Sequence, residues 1–210
     1  MVAVCGLGGD RSSGPGPWPA LDRSGRVNNP ERILAALDRH LQRPTRVILY
    51  GRAALALGYP GAAPELGATM DVDAILPAVQ MAVIEQDSQF WEALDLSNHE
   101  LEPAGLYMTH LFSDEQVVLS PDWLQRIVAL PCPAWRRLQA FRPSTLDLIL
   151  TKMMREDPQD LADIGFLLRR EGIGVAELRA AFTRARVPEI AEIAEAFAAN
   201  QPKVLALASS

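Results

Sequence analysis

The sequence predicts an α/β (α+β) protein: a small mixed sheet flanked by helices, followed by a C-terminal helical region. Three observations predict this class. Short apolar runs alternate with helical patterns up to about residue 142, whereas only helical periodicity follows Pro143. Hydrophobic residues make up 49% of the 210 positions, which is enough for a core. Gly (14) and Pro (16) are too few for a chain that is disordered throughout.

The elements of the first part follow from caps and periodicity. Residues 1–29 are rich in Gly, Ser and Pro without periodicity, so we expect a flexible N-terminal arm. The first helix is predicted to start with Asn29 as its cap and Pro30 at its first position, and to end near Gln42. The α/β core is predicted over residues 30–142, with strands at 46–50, 71–76, 106–112 and 116–119 and helices at 53–57 and 79–94.

The part after residue 142 is predicted to be helical, over residues 143–210. Ser144 and Asp147 have the spacing of a capping box and open the first helix of this region. Asp157 and Pro158 give the same start signal for a second helix, which Gly172 ends. Two further helices are predicted, at 175–185 and 188–199.

Charge is distributed unevenly along the chain, although the net charge is only -6. Residues 53–125 contain twelve acidic residues and no Lys or Arg, whereas residues 126–186 contain eleven basic and seven acidic residues. An acidic segment repels phosphate, so it holds a nucleotide only with a divalent cation or with basic groups from elsewhere in the fold. For most of these acidic residues the simplest interpretation is a solvated surface.

Several classes of protein are excluded or disfavoured. No run of 18 uncharged apolar residues exists, and the first nine residues lack the features of a signal peptide, so we expect a cytoplasmic protein with no membrane partner. Cys5 and Cys132 have no disulfide or metal-binding spacing. The three histidines are far apart in sequence, and no Gly-x-Ser-x-Gly motif is present.

One constellation points to chemistry. The strand that ends at Tyr50 meets Gly51, and the next strand begins Asp71-Val72-Asp73. Alternate residues of a strand share a face, so the two aspartates are predicted to lie with their Cα atoms about 6.6 Å apart on one side. Two such carboxylates can bind a hard divalent cation together, and the amides after a glycine turn can approach phosphate closely.

These residues resemble the minimal nucleotidyltransferases of the polymerase-beta-like superfamily, especially the bacterial toxin-antitoxin type related to AbiEii. That pattern is a strand, a small-residue turn that opens a helix, and Asp-hydrophobic-Asp on the next strand. Here it is Leu49-Tyr50-Gly51-Arg52-Ala53 and then Thr69-Met70-Asp71-Val72-Asp73. The resemblance extends over residues 45–170, and includes Lys152 and the stretch Asp160-Leu161-Ala162-Asp163.

The resemblance implies a function and roles for individual residues. Asp71 and Asp73 would be catalytic residues that bind Mg²⁺, and Gly51, Arg52, Thr69 and Lys152 would contact the nucleotide. The reaction would transfer a nucleotide from a nucleoside triphosphate (NTP) to a hydroxyl of a protein or RNA acceptor such as tRNA. The protein would then be the toxin of a pair, with an antitoxin-like partner.

Lys152 has a separate argument, because the chain contains 18 Arg and only two Lys. A lysine in the middle of a predicted helix therefore stands out from the composition. The alternative is a solvated residue paired with Glu156 at i+4.

Two departures from the pattern leave an alternative function open. Arg52 stands where the related proteins have Gly or Ser, and would either grip phosphates or block them. The third carboxylate is missing from its expected strand, which offers Thr109 or His110, while Asp114 and Glu115 follow in the turn. The alternative is thus a catalytically inactive relative that acts as a binding or regulatory module, with its acidic segment against a basic partner.

Overall fold

The computed structural model of the chain describes residues 28–130, 132 and 134–209. The predicted arm over residues 1–29 therefore lies outside the described residues, apart from Asn28 and Asn29. These two residues begin the first helix: Asn28 is its cap and accepts a hydrogen bond from the amide of Glu31. The start is thus one residue earlier than predicted.

The described residues form nine α-helices and five strands. The helices are α1 (Asn29–His40), α2 (Gly51–Gly58), α3 (Pro64–Gly67), α4 (Met81–Glu85), α5 (Ser88–Leu101), α6 (Thr145–Lys152), α7 (Pro158–Glu171), α8 (Val175–Arg184) and α9 (Ala191–Leu207). The strands are β1 (Thr45–Tyr50), β2 (Asp71–Leu76), β3 (Tyr107–Ser113), β4 (Val128–Ala129) and β5 (Leu138–Arg142). None of the helices in this part of the chain is long and apolar enough to cross a membrane.

The strands form one mixed sheet with the order β3-β2-β1-β5-β4. The central pair β1 and β2 is antiparallel, β2 pairs with β3 and β1 with β5 in parallel, and β4 with β5 is antiparallel. The predicted α/β class, with a mixed sheet and helices at the C-terminal end, is confirmed. The division into a core at 30–142 and a helical region at 143–210 stays a prediction, since one apolar cluster includes residues on both sides of it.

In the α/β part, two predicted elements differ in the structure and two strands are additional. The helix predicted at 79–94 is broken after Glu85, because Asp87 caps a new helix by accepting from the amide of Phe90. The run at 116–119 is not a strand of the sheet: its buried residues make only an isolated bridge between Leu119 and Arg186. Strands β4 and β5 are absent from the predicted elements, because β4 is only two residues long and β5 does not alternate strictly between apolar and polar residues.

The two faces of the sheet have different coverings. Leu49 and Ala74 pair across the centre and belong to the main core, which includes α1, α2 and α5. Ile48 and Ile75 face the other way and pack with the buried segment 117–123. Tyr50 and Asp73 share this second face, since directly opposite residues of an antiparallel pair point to the same side.

Asp38, near the end of α1, holds the chain that leads into β5. Its carboxylate is buried and accepts hydrogen bonds from the main-chain amides of Arg136, Arg137 and Leu138, at 2.7 to 3.0 Å. Burial alone raises the pKa of Asp38, but these hydrogen bonds outweigh it, so the pKa lies below its usual value.

We expect Asp38→Asn to lower the free energy of unfolding by roughly 2 kcal/mol at pH 7, since an amide group places a donor against main-chain donors. The low pKa of Asp38 in the folded chain means that its contribution is present above the unfolded pKa of about 4 and is lost as the pH falls through the folded pKa. Urea unfolding at several pH values should therefore show the difference between wild type and variant shrinking below about pH 4. A difference that does not change with pH would contradict this role.

Candidate functional site

A cleft of about 390 Å³ opens on the second face of the sheet, where the end of β1 meets α2, α6, α7 and α9. Its lining residues are Tyr50, Gly51, Arg52, Ala53, Thr69, Asp71, Asp73, Phe112, Thr151, Lys152, Met154, Arg155, Asp160 and Ile193. All six residues predicted for the site, namely Gly51, Arg52, Thr69, Asp71, Asp73 and Lys152, are among them. The structure thus brings together residues that are up to about a hundred positions apart in sequence.

Gly51 makes the sharp turn from β1 into α2. Its φ is +65°, in the left-handed region that residues with a Cβ rarely adopt. A Cβ added there would lie 3.8 Å from Oδ2 of Asp73, so the bend and the carboxylate are in contact distance. The backbone conformation therefore favours glycine at this position, and an added Cβ would be in ordinary van der Waals contact with the carboxylate.

Asp71 and Asp73 lie on the face that opens into the cleft. Asp73 is paired with Tyr50 across the β1–β2 ladder, and Asp71 is two residues before it, so both side chains point to the same side. Both are partly exposed. Thr69 donates a hydrogen bond from Oγ1 to Oδ1 of Asp71, at 2.8 Å, and so orients this carboxylate.

Lys152 is the buried cation of the cleft, with only 3% of its side chain exposed. Its Nζ donates to Asp160 at 2.9 Å and to Asp163 at 2.6 Å, both on α7. The alternative pairing with Glu156 is wrong, because Glu156 forms an ion pair with Lys203 on α9. A contact between Lys152 and a nucleotide stays a prediction.

Arg52 reaches from α2 toward α7. Its Nε lies 3.8 Å from Oδ2 of Asp163, which Lys152 also contacts. With its carboxamide oxygen turned toward the guanidinium, Gln159 accepts from Nε at 3.1 Å and from Nη2 at 3.0 Å. Arg52 thus links the two helices at one wall of the cleft.

The pKa values of Tyr50 and Asp160, which both line the cleft, are shifted from their usual values. Burial, together with the negative charge of Asp73, raises the pKa of Tyr50, so its phenol stays protonated at neutral pH. Burial alone raises the pKa of Asp160, but the hydrogen bond from Arg155 and the charge of Lys152 outweigh it and lower the pKa. Asp160 is therefore a carboxylate within an ion-pair cluster, not a proton donor.

A comparison with family models gives one match, over residues 31–192 of the 210, to nucleotidyltransferases of unknown function (DUF6036). The chain belongs to this family. Neither the curated proteins nor the solved structures give a match. Membership in this nucleotidyltransferase family implies a nucleotide as substrate, and the matched region contains the whole sheet and every residue of the cleft except Ile193.

The third carboxylate expected for this nucleotidyltransferase is not supplied by the residues that sequence offered. Val72 pairs with Met108 and Ala74 with Leu111, so Thr109 and His110 together lie opposite Asp73. The side chain of His110 lies outside the described part of the structure. Within that part, no cluster of three or more His, Cys, Asp or Glu residues could hold a metal ion.

Asp114 and Glu115 do not line the cleft. Asp114 is buried, and its carboxylate accepts from the amide of Ala78 at 2.9 Å, from Nε1 of Trp123 at 3.0 Å and from Arg186 at 3.1 Å. Asp114 therefore links the end of β3 to three other segments of the chain and has a structural role. Glu115 is exposed.

Sequence reasoning gave no role to three groups that line the nucleotidyltransferase cleft. Tyr50 and Phe112 contact each other edge to face, with ring centroids 5.7 Å apart, beside Asp73. Arg155 contacts Asp160 from the loop between α6 and α7. Helical periodicity could not identify Arg155, because this residue lies between α6 and α7. Its position three residues after Lys152 is the signal in the sequence that could have placed it near the site.

We expect Lys152→Met to lower the free energy of unfolding by roughly 3–5 kcal/mol without any ligand, because it leaves the carboxylates of Asp160 and Asp163 buried beside a neutral chain. Lys203→Met is the matched control, since Lys203 pairs with Glu156 at the surface and its loss should cost less than about 1 kcal/mol. Urea unfolding of both variants measures the difference. Equal losses would mean that the buried cluster contributes no more than a surface pair.

Proposed function

We propose that the protein transfers a nucleotide from an NTP to a hydroxyl of a protein or RNA acceptor, in a Mg²⁺-dependent reaction of the polymerase-beta-like, AbiEii-related type. One observation carries the proposal: Asp71 and Asp73 share the face of β2 that opens into the cleft, directly beside the Gly51 bend. This arrangement places a carboxylate pair next to main-chain amides that begin a helix of eight residues.

The residues of the cleft fit Mg²⁺ together with a triphosphate. Magnesium in nucleotide sites is held by one or two carboxylates and by substrate phosphates, so a pair of aspartates is a sufficient protein contribution. Bound there, the ion would neutralise phosphate charge and orient the triphosphate for attack by the acceptor hydroxyl. Asp71 and Asp73 would hold the ion, and Thr69 would orient Asp71.

The other residues have positioning tasks in this proposal. The main-chain amides at the Gly51 turn would donate hydrogen bonds to phosphate oxygens, because the glycine allows a close approach. Lys152 adds positive charge from beneath the cleft. Arg52 would have the first of its two predicted roles, a cation at the cleft wall that grips phosphate, although its guanidinium is directed toward Asp163 and Gln159 of α7.

The second candidate function is an inactive nucleotidyltransferase fold that serves as a binding or regulatory module. The use of Asp114 as a structural carboxylate favours it, because the cleft then relies on Asp71 and Asp73 for its metal. The two candidates differ in nucleotide transfer, and the second does not require binding of Mg²⁺ and NTP. Incubation with labelled NTPs, Mg²⁺ and protein or tRNA acceptors distinguishes them: label transfer supports the enzyme, and binding without transfer supports the module.

The proposal names the acceptor only by its chemical class, a protein or RNA hydroxyl. We include in it the role of a toxin with an antitoxin-like partner, and a cytoplasmic location where NTPs and tRNA are present. These parts derive from the resemblance of the Gly51 and Asp71-Val72-Asp73 motifs to AbiEii-related proteins. Growth arrest on expression, with loss of the arrest in the Asp71→Asn variant, is the test of the toxin role.

We expect the double variant Asp71→Asn plus Asp73→Asn to lose stabilisation by Mg²⁺ and ATP. In the wild type, the two ligands together at about 100 times the dissociation constant should add roughly 2–3 kcal/mol to the free energy of unfolding. Without ligand the variant should be at least as stable as wild type, because it removes the repulsion between two carboxylates. Thermal unfolding with and without ligands measures both effects.

The matched control for this prediction is Asp95→Asn. Asp95 is an exposed carboxylate on α5, away from the cleft, within the same acidic segment of the chain. It should keep the full shift with Mg²⁺ and ATP. A shift that survives in the double variant, or that is absent from the wild type, would contradict the proposed metal site.

We expect Gly51→Ala to abolish the shift with Mg²⁺ and ATP as well as lowering stability. Its φ of +65° costs a residue with a Cβ roughly 1–2 kcal/mol, and the new methyl would stand beside Asp73. Gly61→Ala is a close control, because Gly61 has a φ of +79° and nothing within 4 Å of an added Cβ. Calorimetric titration of both variants should show lost binding only for Gly51→Ala.

A further inference from the structure

The C-terminal helix α9 contributes to the cleft although it lies almost wholly beyond the family match. The match ends at residue 192, and α9 runs from Ala191 to Leu207. Ile193, near the start of α9, lines the cleft. The helix predicted at 188–199 ends before Asn200, so the prediction does not include the second half of α9.

Asn200 lies in this second half and is 1% exposed. Its Nδ2 donates to the main-chain carbonyl of Arg155 at 2.9 Å and to that of Met153 at 3.3 Å. Its Oδ1 accepts from Nζ of Lys203 at 3.4 Å. A buried amide side chain is costly unless it is satisfied, and asparagine is a weak helix former, so these contacts are the reason that the position tolerates Asn.

The carbonyls that Asn200 binds belong to residues 153–157, which we call the cleft loop and which join α6 to α7. This loop brings Met154 and Arg155 to the cleft. The side chain of Arg155 is 71% exposed, and its Nε contacts Asp160 at 2.5 Å. Its guanidinium is thus open to the cleft, while its main chain is held from behind by α9.

We propose that Asn200 is a positioning residue for the nucleotide site: by holding the carbonyls of the cleft loop, it places the Arg155 cation where a bound triphosphate reaches it. The inference rests on the proposed function, and it names a residue outside the matched family region. It makes α9 a part of the site, not only a covering of the helical region.

The argument for positioning is geometric. The cleft loop follows the end of α6, and Asn200 donates to two of its main-chain carbonyls, those of Met153 and Arg155. Lys203 reinforces this contact, since it pairs with Glu156 of the same loop and also donates to Asn200. A preorganised cation binds an anion more tightly than one whose loop must first be ordered.

Asn200→Ala tests the proposal, because it removes both donors while improving helix propensity. We expect faster hydrogen exchange of the amides in the cleft loop, and affinity for Mg²⁺–ATP weaker by on the order of 10-fold in calorimetry. Asn200→Leu, which keeps a similar size but has no donor and buries no charge, should have the same two effects and serves if the alanine variant is poorly folded.

The control is Val204→Ala, a buried residue one turn further along α9. It should lower the melting temperature without changing exchange in the cleft loop or affinity for Mg²⁺–ATP. A double-mutant cycle adds a direct test: in an Arg155→Ala background, the Asn200 change should have little further effect on affinity, because both act through the same cation.

The outcomes separate this inference from the proposed function. If the wild type does not bind Mg²⁺–ATP, the proposed function fails and the inference fails with it. If the wild type binds, and the Asn200 variants bind equally well or the cycle is additive, only the role of Asn200 is overturned. Equal loss of affinity in Val204→Ala would also overturn it, since general loosening of α9 would then explain the result.

Discussion

The pairing of β1 with β2 is the constraint on which the site depends. In this antiparallel register Tyr50 lies opposite Asp73, so the last residue of one strand is fixed beside the second aspartate of the other. The chain must then leave the sheet at once, and it does so through Gly51 with a positive φ. A shift of one residue in this register would turn both aspartates into the apolar core on the opposite face.

The charge pattern of the sequence has a counterpart in the structure of the cleft. The acidic segment 53–125 supplies Asp71 and Asp73, and the cations Lys152 and Arg155 come from the basic segment that follows it. Lys152 is buried against Asp160 and Asp163, so part of its charge is offset within the fold. The acidic segment thus lies beside basic groups from elsewhere in the chain, which is the condition that its charge sets for holding a nucleotide.

The structure also explains why Asp114 and Asp147 are unavailable to the cleft. Asp114 accepts three hydrogen bonds from donors on separate parts of the chain, and Asp147, fully buried, likewise joins Ser120, Arg126 and Ser144. These carboxylates hold the segment 117–126 over the second face of the sheet. That segment closes the apolar end of this face and leaves the other end open as the cleft.

The sequence by itself determined the α/β class, the capped starts of α1, α6 and α7 to within one residue, and the shared face of Asp71 and Asp73, because caps and strand alternation are local properties of neighbouring residues. It could not predict β5, whose apolar and polar residues do not alternate strictly, since that strand is defined by parallel pairing with β1. Only the tertiary structure decided that Asp114 is structural, that Lys152 pairs with α7 rather than with Glu156, and that Asn200 reaches the cleft loop. These contacts join residues that are distant in sequence. They depend on how whole helices and strands pack together, and a local sequence pattern does not encode that packing.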